Sequence, residues 1–197
     1  MKITITGDLG SGKSILRDKL VEKDGFIPYS TGVLQREYAS KLGLTTLELN
    51  KYSEVHPEVD DYIDDGLREL SKSDKKYIID SRMAWHFVVP SYKIYLAVSP
   101  MTAAERVFNS PDRGDIESYD NVNNTLIALE ERVKSEYKRF KEKYNVDCSD
   151  MTNYDLIVDT TLLTPDEVYE VVSKAYNNKE TGVKYKKILD KIKCIKL

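Results

Sequence analysis

Eight residues constrain this chain more than any others: "GDLGSGKS" at positions 7–14, directly behind "MKITIT". Ile3, Thr4, Ile5 and Thr6 are all β-branched, which suits a short buried strand. Gly7 and Gly10 break that strand. From about Gly12 the residues favour a helix, with Leu16 and Leu20 one turn apart on its inner face. A glycine-rich turn between a strand and a helix N-terminus, spelled G-x-x-x-x-G-K-S by Gly7, Gly12, Lys13 and Ser14, reads as a P-loop. Gly7, Gly10, Ser11 and Gly12 let backbone N–H groups turn inward around phosphate oxygens. The helix N-terminus adds partial positive charge. Lys13 can reach the β- and γ-phosphates and Ser14 can ligate Mg²⁺, so the implied ligands are ATP and Mg²⁺. Asp8 is at odds with bound phosphate, and its side chain is expected to face outward with no role.

The rest of the chain limits what such a loop can serve. Its 197 residues suffice for one α/β domain with a core of its own. A composition of 41% hydrophobic and 32% charged residues describes a globular protein. No apolar run is long enough to span a bilayer, and the N-terminus enters a strand with no signal-peptide pattern before it. Cys148 and Cys194 have no metal-ligand spacing and read as ordinary thiols in a reducing compartment. The expected setting is cytoplasmic. A net charge of −3 argues against broad nucleic-acid binding, though it leaves room for a local basic groove; no nucleic-acid partner is expected.

Strands and helices alternate along the sequence. Phe26 to Tyr29 reads as a second strand, ending at Ser30, Thr31 and Gly32, with a helix from Leu34 to Leu42 that Gly43 stops. Thr45 and Glu48 spell a capping box. Pro57 can open a helix with Val59, Ile63, Leu67 and Leu70 as its apolar stripe, leaving Asp60, Asp61, Asp64 and Asp65 as a solvated face. Tyr77 to Ile79, Tyr92 to Ser99 and Tyr154 to Thr160 read as three more strands. Ser99 with Pro100, and Thr164 with Glu167, open the helices that follow the last two. This alternation predicts a five-stranded parallel sheet flanked by helices. Ligands gather at the C-terminal ends of such strands, which selects the P-loop, residues 30–32, residues 80–82 and residues 159–161.

Positions 119–144 form the clearest helix, with Tyr119, Val122, Leu126, Leu129, Val133, Tyr137, Phe140 and Tyr144 stepping by three or four. Arg132 and Arg139 project from nearly the same side of it and could clamp a polyphosphate. Periodicity alone favours a solvated charged face in which Glu136 pairs with Arg139 or Arg132. The segment 184–197 is basic, with Ile188, Ile192 and Ile195 helically spaced, and reads as a docked amphipathic helix or a frayed tail.

Together, "MKITITGDLGSGKS", "STGVLQREYASKLGLTTLELNKYSEVHPEVDDYID", "YIIDSRMAW", "YKIYLAVSPMTAAERV" and "EERVKSEYKRFKEKYNVDCSDMTNYDLIVDTTLLTPDEV" resemble the cytidylate kinases among the P-loop nucleoside monophosphate kinases, the archaeal type above all. The segments span residues 1 to about 176 in family order. The resemblance implies a kinase domain over 1–178, with an acceptor-binding insert around 31–75 and an arginine-bearing lid around 106–139, followed by a basic extension over 179–197. It implies that Arg36 and Arg82 hold the acceptor phosphate and that Arg132 and Arg139 close over the transferring phosphoryl group. Thr160 and Thr161 fall near the family's donor-base position. Asp80 would bind Mg²⁺ through water or cap the following turn. The family is often monomeric, so a monomer or a weak homo-oligomer is expected. Three departures touch base and sugar reading. Val33 stands where the acceptor loop usually carries Asp, Met83 ends what is "GRD" in bacterial members, and Val107, Phe108 and Asn109 replace further basic residues.

An acceptor that is already a phosphate needs no strong general base, so positioning and charge neutralisation by Lys13, arginines and Mg²⁺ suffice. A hydroxyl acceptor would want a nearby carboxylate. The expected function is ATP-dependent phosphoryl transfer to a nucleoside monophosphate, most readily CMP or dCMP. The alternatives are a small-molecule kinase with a non-nucleotide acceptor and a nucleotide-binding regulatory module.

Overall fold

A computed structural model describes residues 1–110 and 119–178 of the chain. Five parallel strands form one sheet in the order β2-β3-β1-β4-β5. They are β1 (Lys2–Gly7), β2 (Ile27–Ser30), β3 (Tyr77–Asp80), β4 (Tyr92–Ala97) and β5 (Leu156–Asp159). The central strand is the one that feeds the P-loop. Alternation along the strands divides the core between two faces. Ile3, Ile5, Ile78, Ile94, Leu96, Leu156 and Val158 pack on one side against Leu16 and Leu20 of α1 (Lys13–Asp24) and Val168 and Val172 of α8 (Pro165–Asn177). Tyr95 and Ile157 point to the other side, where Trp85 of the short α5 (Ala84–Phe87) and Phe140 of α7 (Val122–Tyr144) meet them.

Three helices lie between β2 and β3: α2 (Thr31–Leu42), α3 (Thr46–Ser53) and α4 (Glu58–Lys72). Gly43 ends α2, and the Thr45–Glu48 capping box opens α3 with both reciprocal bonds in place. α2 starts at Thr31, three residues earlier than the pattern predicts, so Thr31 and Gly32 form its first turn. α6 (Pro100–Phe108) follows β4, with Ser99 as its N-cap and Pro100 in its first turn. α5 escapes the periodic reading because four residues are too few to show a period. The basic segment 184–197 lies outside the described residues, as do positions 111–118 of the expected lid. Among the described residues, no helix is long and apolar enough to cross a membrane.

The acidic stripe of α4 corrects the expectation of a solvated face. Asp60 and Asp64 are only 4% and 2% exposed. Asp60 Oδ2 lies 2.9 Å from Arg139 Nε, and Asp64 Oδ2 accepts from the Tyr144 hydroxyl at 2.6 Å. The partners sit on α7, about eighty positions along the chain. A buried carboxylate needs a partner of this kind to offset its desolvation. Asp61 and Asp65, by contrast, are exposed.

Candidate active site

The site is built from the C-terminal ends of the strands, beginning with the turn between β1 and α1. Gly12 caps α1 in the left-handed conformation, at φ 88°, and opens the helix N-terminus toward the turn. Gly7 has a φ of 141°, and a Cβ there would run into the backbone of Leu96 on β4. Asp8 does not face outward. Its Oδ1 accepts from the Tyr95 hydroxyl at 2.7 Å and its Oδ2 from the Val98 N–H at 2.9 Å, fastening the P-loop to the end of β4. The short side chain reaches inward because β4 ends beside it with an N–H and a hydroxyl to satisfy.

Lys13 Nζ donates to Gly7 O at 3.0 Å and to Asp8 O at 2.5 Å. Arg82, two residues beyond β3, donates from Nη1 to the same Gly7 O. Burial and then the adjacent Arg82 guanidinium hold the Lys13 ammonium down to about 7. The P-loop thus gathers two basic side chains whose nitrogens rest on backbone carbonyls.

A cleft of about 630 Å³ opens over this point. Residues 10–14 and Thr160 line it, and so do Ser30, Thr31, Gly32 and Arg36 from the end of β2 and the first turns of α2. Asp80, Arg82 and Arg132 lie along it as well. Asp80 Oδ2 is 3.9 Å from Arg17 Nη1, and Arg17 also lines the cleft from α1. Arg106 of α6 is a lining residue that sequence reasoning did not select. Its Nη2 donates to Thr160 O at 2.8 Å and its Nη1 to Thr160 Oγ1 at 3.2 Å. Thr160 Oγ1 itself donates to Ser11 O at 3.1 Å, so Arg106, Thr160 and the P-loop form one connected wall. Its place three residues after the apolar Ala103 on a Pro-opened helix was the available signal.

Not every expected residue reaches the cleft. Thr161 is held by Asp159 and Ser99, with its Oγ1 donating to Asp159 Oδ1 at 2.6 Å, and it is not a lining residue. Arg139 is not one either. Its Nη1 donates to Asn50 O at 3.0 Å while its Nε pairs with Asp60, so it ties α7 to α3 and α4. Arg132 does line the cleft and pairs with Glu136 at 2.9 Å. That pair is buried, not the solvated one that periodicity allowed. Burial alone would raise the Glu136 carboxyl, but Arg82 and Arg132 outweigh it and hold it down at about 2.

Comparison with known proteins agrees with this geometry. The family described as AAA domain matches residues 3–124. A cytidylate kinase of Thermoplasma volcanium is 33% identical over 177 residues, covering 87% of this chain and 89% of that protein. A cytidylate kinase of Natronomonas pharaonis is 36% identical over 179 residues, 90% of each. The chain belongs to the cytidylate kinase family of P-loop kinases. This kinase also shares its fold with a shikimate kinase from Bacteroides thetaiotaomicron, at a TM-score of 0.61 and 12% identity over 90% of this chain and 98% of that one.

Proposed function

We propose that this kinase transfers the γ-phosphoryl group of ATP to a nucleoside monophosphate, CMP or dCMP first, in the cytoplasm. One observation carries the reading: Lys13, Arg36, Arg82 and Arg132, from four separate segments, meet on a single cleft. Positive charge brought in from separate segments suits two phosphate-bearing ligands better than one. In this reading α2, α3 and α4 form the acceptor insert, about 31–75, and the lid runs over about 106–139.

The P-loop amides and Lys13 cradle the donor phosphates, while Thr160 and Arg106 wall the donor side. Thr161 and Arg139 support that arrangement from behind it. Arg36 and Arg82 orient the acceptor phosphate, with Ser30, Thr31 and Gly32 along its approach. Arg132 faces the group in flight. No residue needs to remove a proton, because a phosphate dianion is nucleophilic near neutral pH. The work of the chain is alignment and charge neutralisation in a partly dehydrated cleft. Ser14 and Asp80 are oxygen donors on the same cleft and fit a hard cation. Mg²⁺, if held by Ser14 and Asp80, would supply positive charge that neutralises the phosphoryl oxygens during transfer. Asp80 also favours a second reading, in which it acts as base toward a hydroxyl on a non-nucleotide acceptor.

A panel of ribo- and deoxyribonucleoside monophosphates, assayed for ADP release from ATP with Mg²⁺, tests this. Selective stimulation by CMP or dCMP is expected, and Lys13→Ala should lower turnover at least about a hundredfold while remaining folded. Stimulation by a hydroxyl compound and by no monophosphate would favour the second reading.

A further inference from the structure

We propose, on the phosphoryl-transfer reading above, that Glu136 is a positioning residue: one buried carboxylate holds the Nε atoms of Arg82 and Arg132 and sets both guanidiniums at the cleft. Glu136 is 1% exposed. Its Oε2 lies 2.8 Å from Arg82 Nε, and its Oε1 accepts from Arg132 Nε at 2.9 Å. The arginines come from different parts of the fold, Arg82 from the turn after β3 and Arg132 from one helical turn before Glu136. Each carboxylate oxygen takes one of them.

Arg82, Arg132 and Lys13 carry like charges around one cavity, and without a countercharge they would repel one another. The carboxylate between the two guanidiniums makes their proximity tenable. Arg82 is fixed twice, by Glu136 at Nε and by Gly7 O at Nη1. Its Nη2 is buried with no hydrogen-bond partner. Glu136 therefore acts in opposite directions on two quantities. Its charge weakens the attraction of the cleft for a polyanion. Its grip orients the guanidiniums, which speeds transfer.

Two variants test this by different routes: Glu136→Gln removes the charge, and Glu136→Asp keeps the charge but is too short to hold both Nε atoms. Calorimetric titration with inorganic tripolyphosphate reads affinity without reference to any acceptor, and steady-state kinetics read kcat. Should wild type phosphorylate no monophosphate, basal ATP hydrolysis serves as the rate, so failure of the functional reading stays separate from failure of this inference. For Glu136→Gln we expect tripolyphosphate to bind about three- to tenfold tighter and kcat to fall about tenfold or more. For Glu136→Asp we expect unchanged affinity with a similar loss of kcat. Wild-type kcat in Glu136→Asp would overturn the proposal, whether or not Glu136→Gln folds. So would a lower Tm in both variants with affinity and kcat of the folded protein unchanged, the signature of a purely structural carboxylate.

Discussion

The P-loop lysine is the residue whose state depends most on what the cleft contains. Burial first, and Arg82 second, bring the Lys13 ammonium to about 7, from 10.5 in a free side chain. Between those two pH values the unfolded chain binds the proton and the native chain does not, so this group's contribution to stability rises with pH across that window. A bound polyphosphate reverses the balance and restores the charge. ATP binding at pH 8 should therefore take up a proton, approaching one per site, and at pH 6 almost none. Calorimetry in buffers of different ionisation enthalpy measures this, and Lys13→Arg should abolish the uptake. Asp64 shows the opposite sign. Burial lifts its carboxyl to about 6, so its contribution is fully present below about pH 4 and is lost as pH rises through 6. Asp64→Asn keeps an acceptor for the Tyr144 hydroxyl and removes the buried charge. It should stabilise the protein by on the order of 2 kcal/mol at pH 8 and by nothing near pH 4, read from denaturant melts.

At the scale of elements, α7 joins α3 and α4 to the sheet. Arg139 bonds to Asn50 of α3 and pairs with Asp60 of α4, Lys143 Nζ donates to Asp61 Oδ1 at 2.7 Å, and Tyr144 donates to Asp64. One helical turn away, Glu136 reaches Arg82 behind β3. The two arginines that share a face of α7 in the sequence thus divide their work. Arg139→Ala leaves Asp60 buried without its countercharge and should cost about 3–5 kcal/mol of stability, with kcat of the folded fraction within a few-fold of wild type. Arg132→Ala should do the reverse, lowering kcat at least tenfold with a smaller loss of Tm. Paired thermal melts and kinetics on the two variants check the division. The helix itself was legible in the sequence because its period runs over many turns. The partners of its charged residues were not, because Asp60 and Asp64 look like any solvated acidic face until a helix about eighty residues later covers them. Likewise Asp8 reads as an outward side chain until β4 is beside it, and little in the local sequence singles out Arg106 until Thr160 is packed against it.

The whole molecule places β1 at the centre of the sheet, with the helices inserted between β2 and β3 toward one flank and Arg106 and Thr160 beyond β4 on the other. This much followed from local signals: β-branched runs, two capping boxes and a glycine-rich turn already fixed five strands and their parallel sense. Because the cleft draws residues from both flanks, a ligand in it should stabilise the fold as one cooperative unit. ATP at a hundred times its Kd should raise Tm by roughly 5–10 °C in a single transition. Lys13→Ala should show almost no shift, and scanning calorimetry distinguishes one transition from two.

Gly7 O accepts from both Lys13 and Arg82. Neither side-chain nitrogen is therefore fully hydrated when a phosphate arrives. Binding becomes an exchange of acceptors, a neutral carbonyl oxygen for a charged phosphoryl oxygen, with little water to strip from the protein at that point. The cost of dehydration falls mainly on the nucleotide, and ordinary ionic strength has little atmosphere of counterions to displace from these two groups. Affinity for the donor phosphates should then decline only shallowly with added salt, as befits charges that were already withdrawn from solvent.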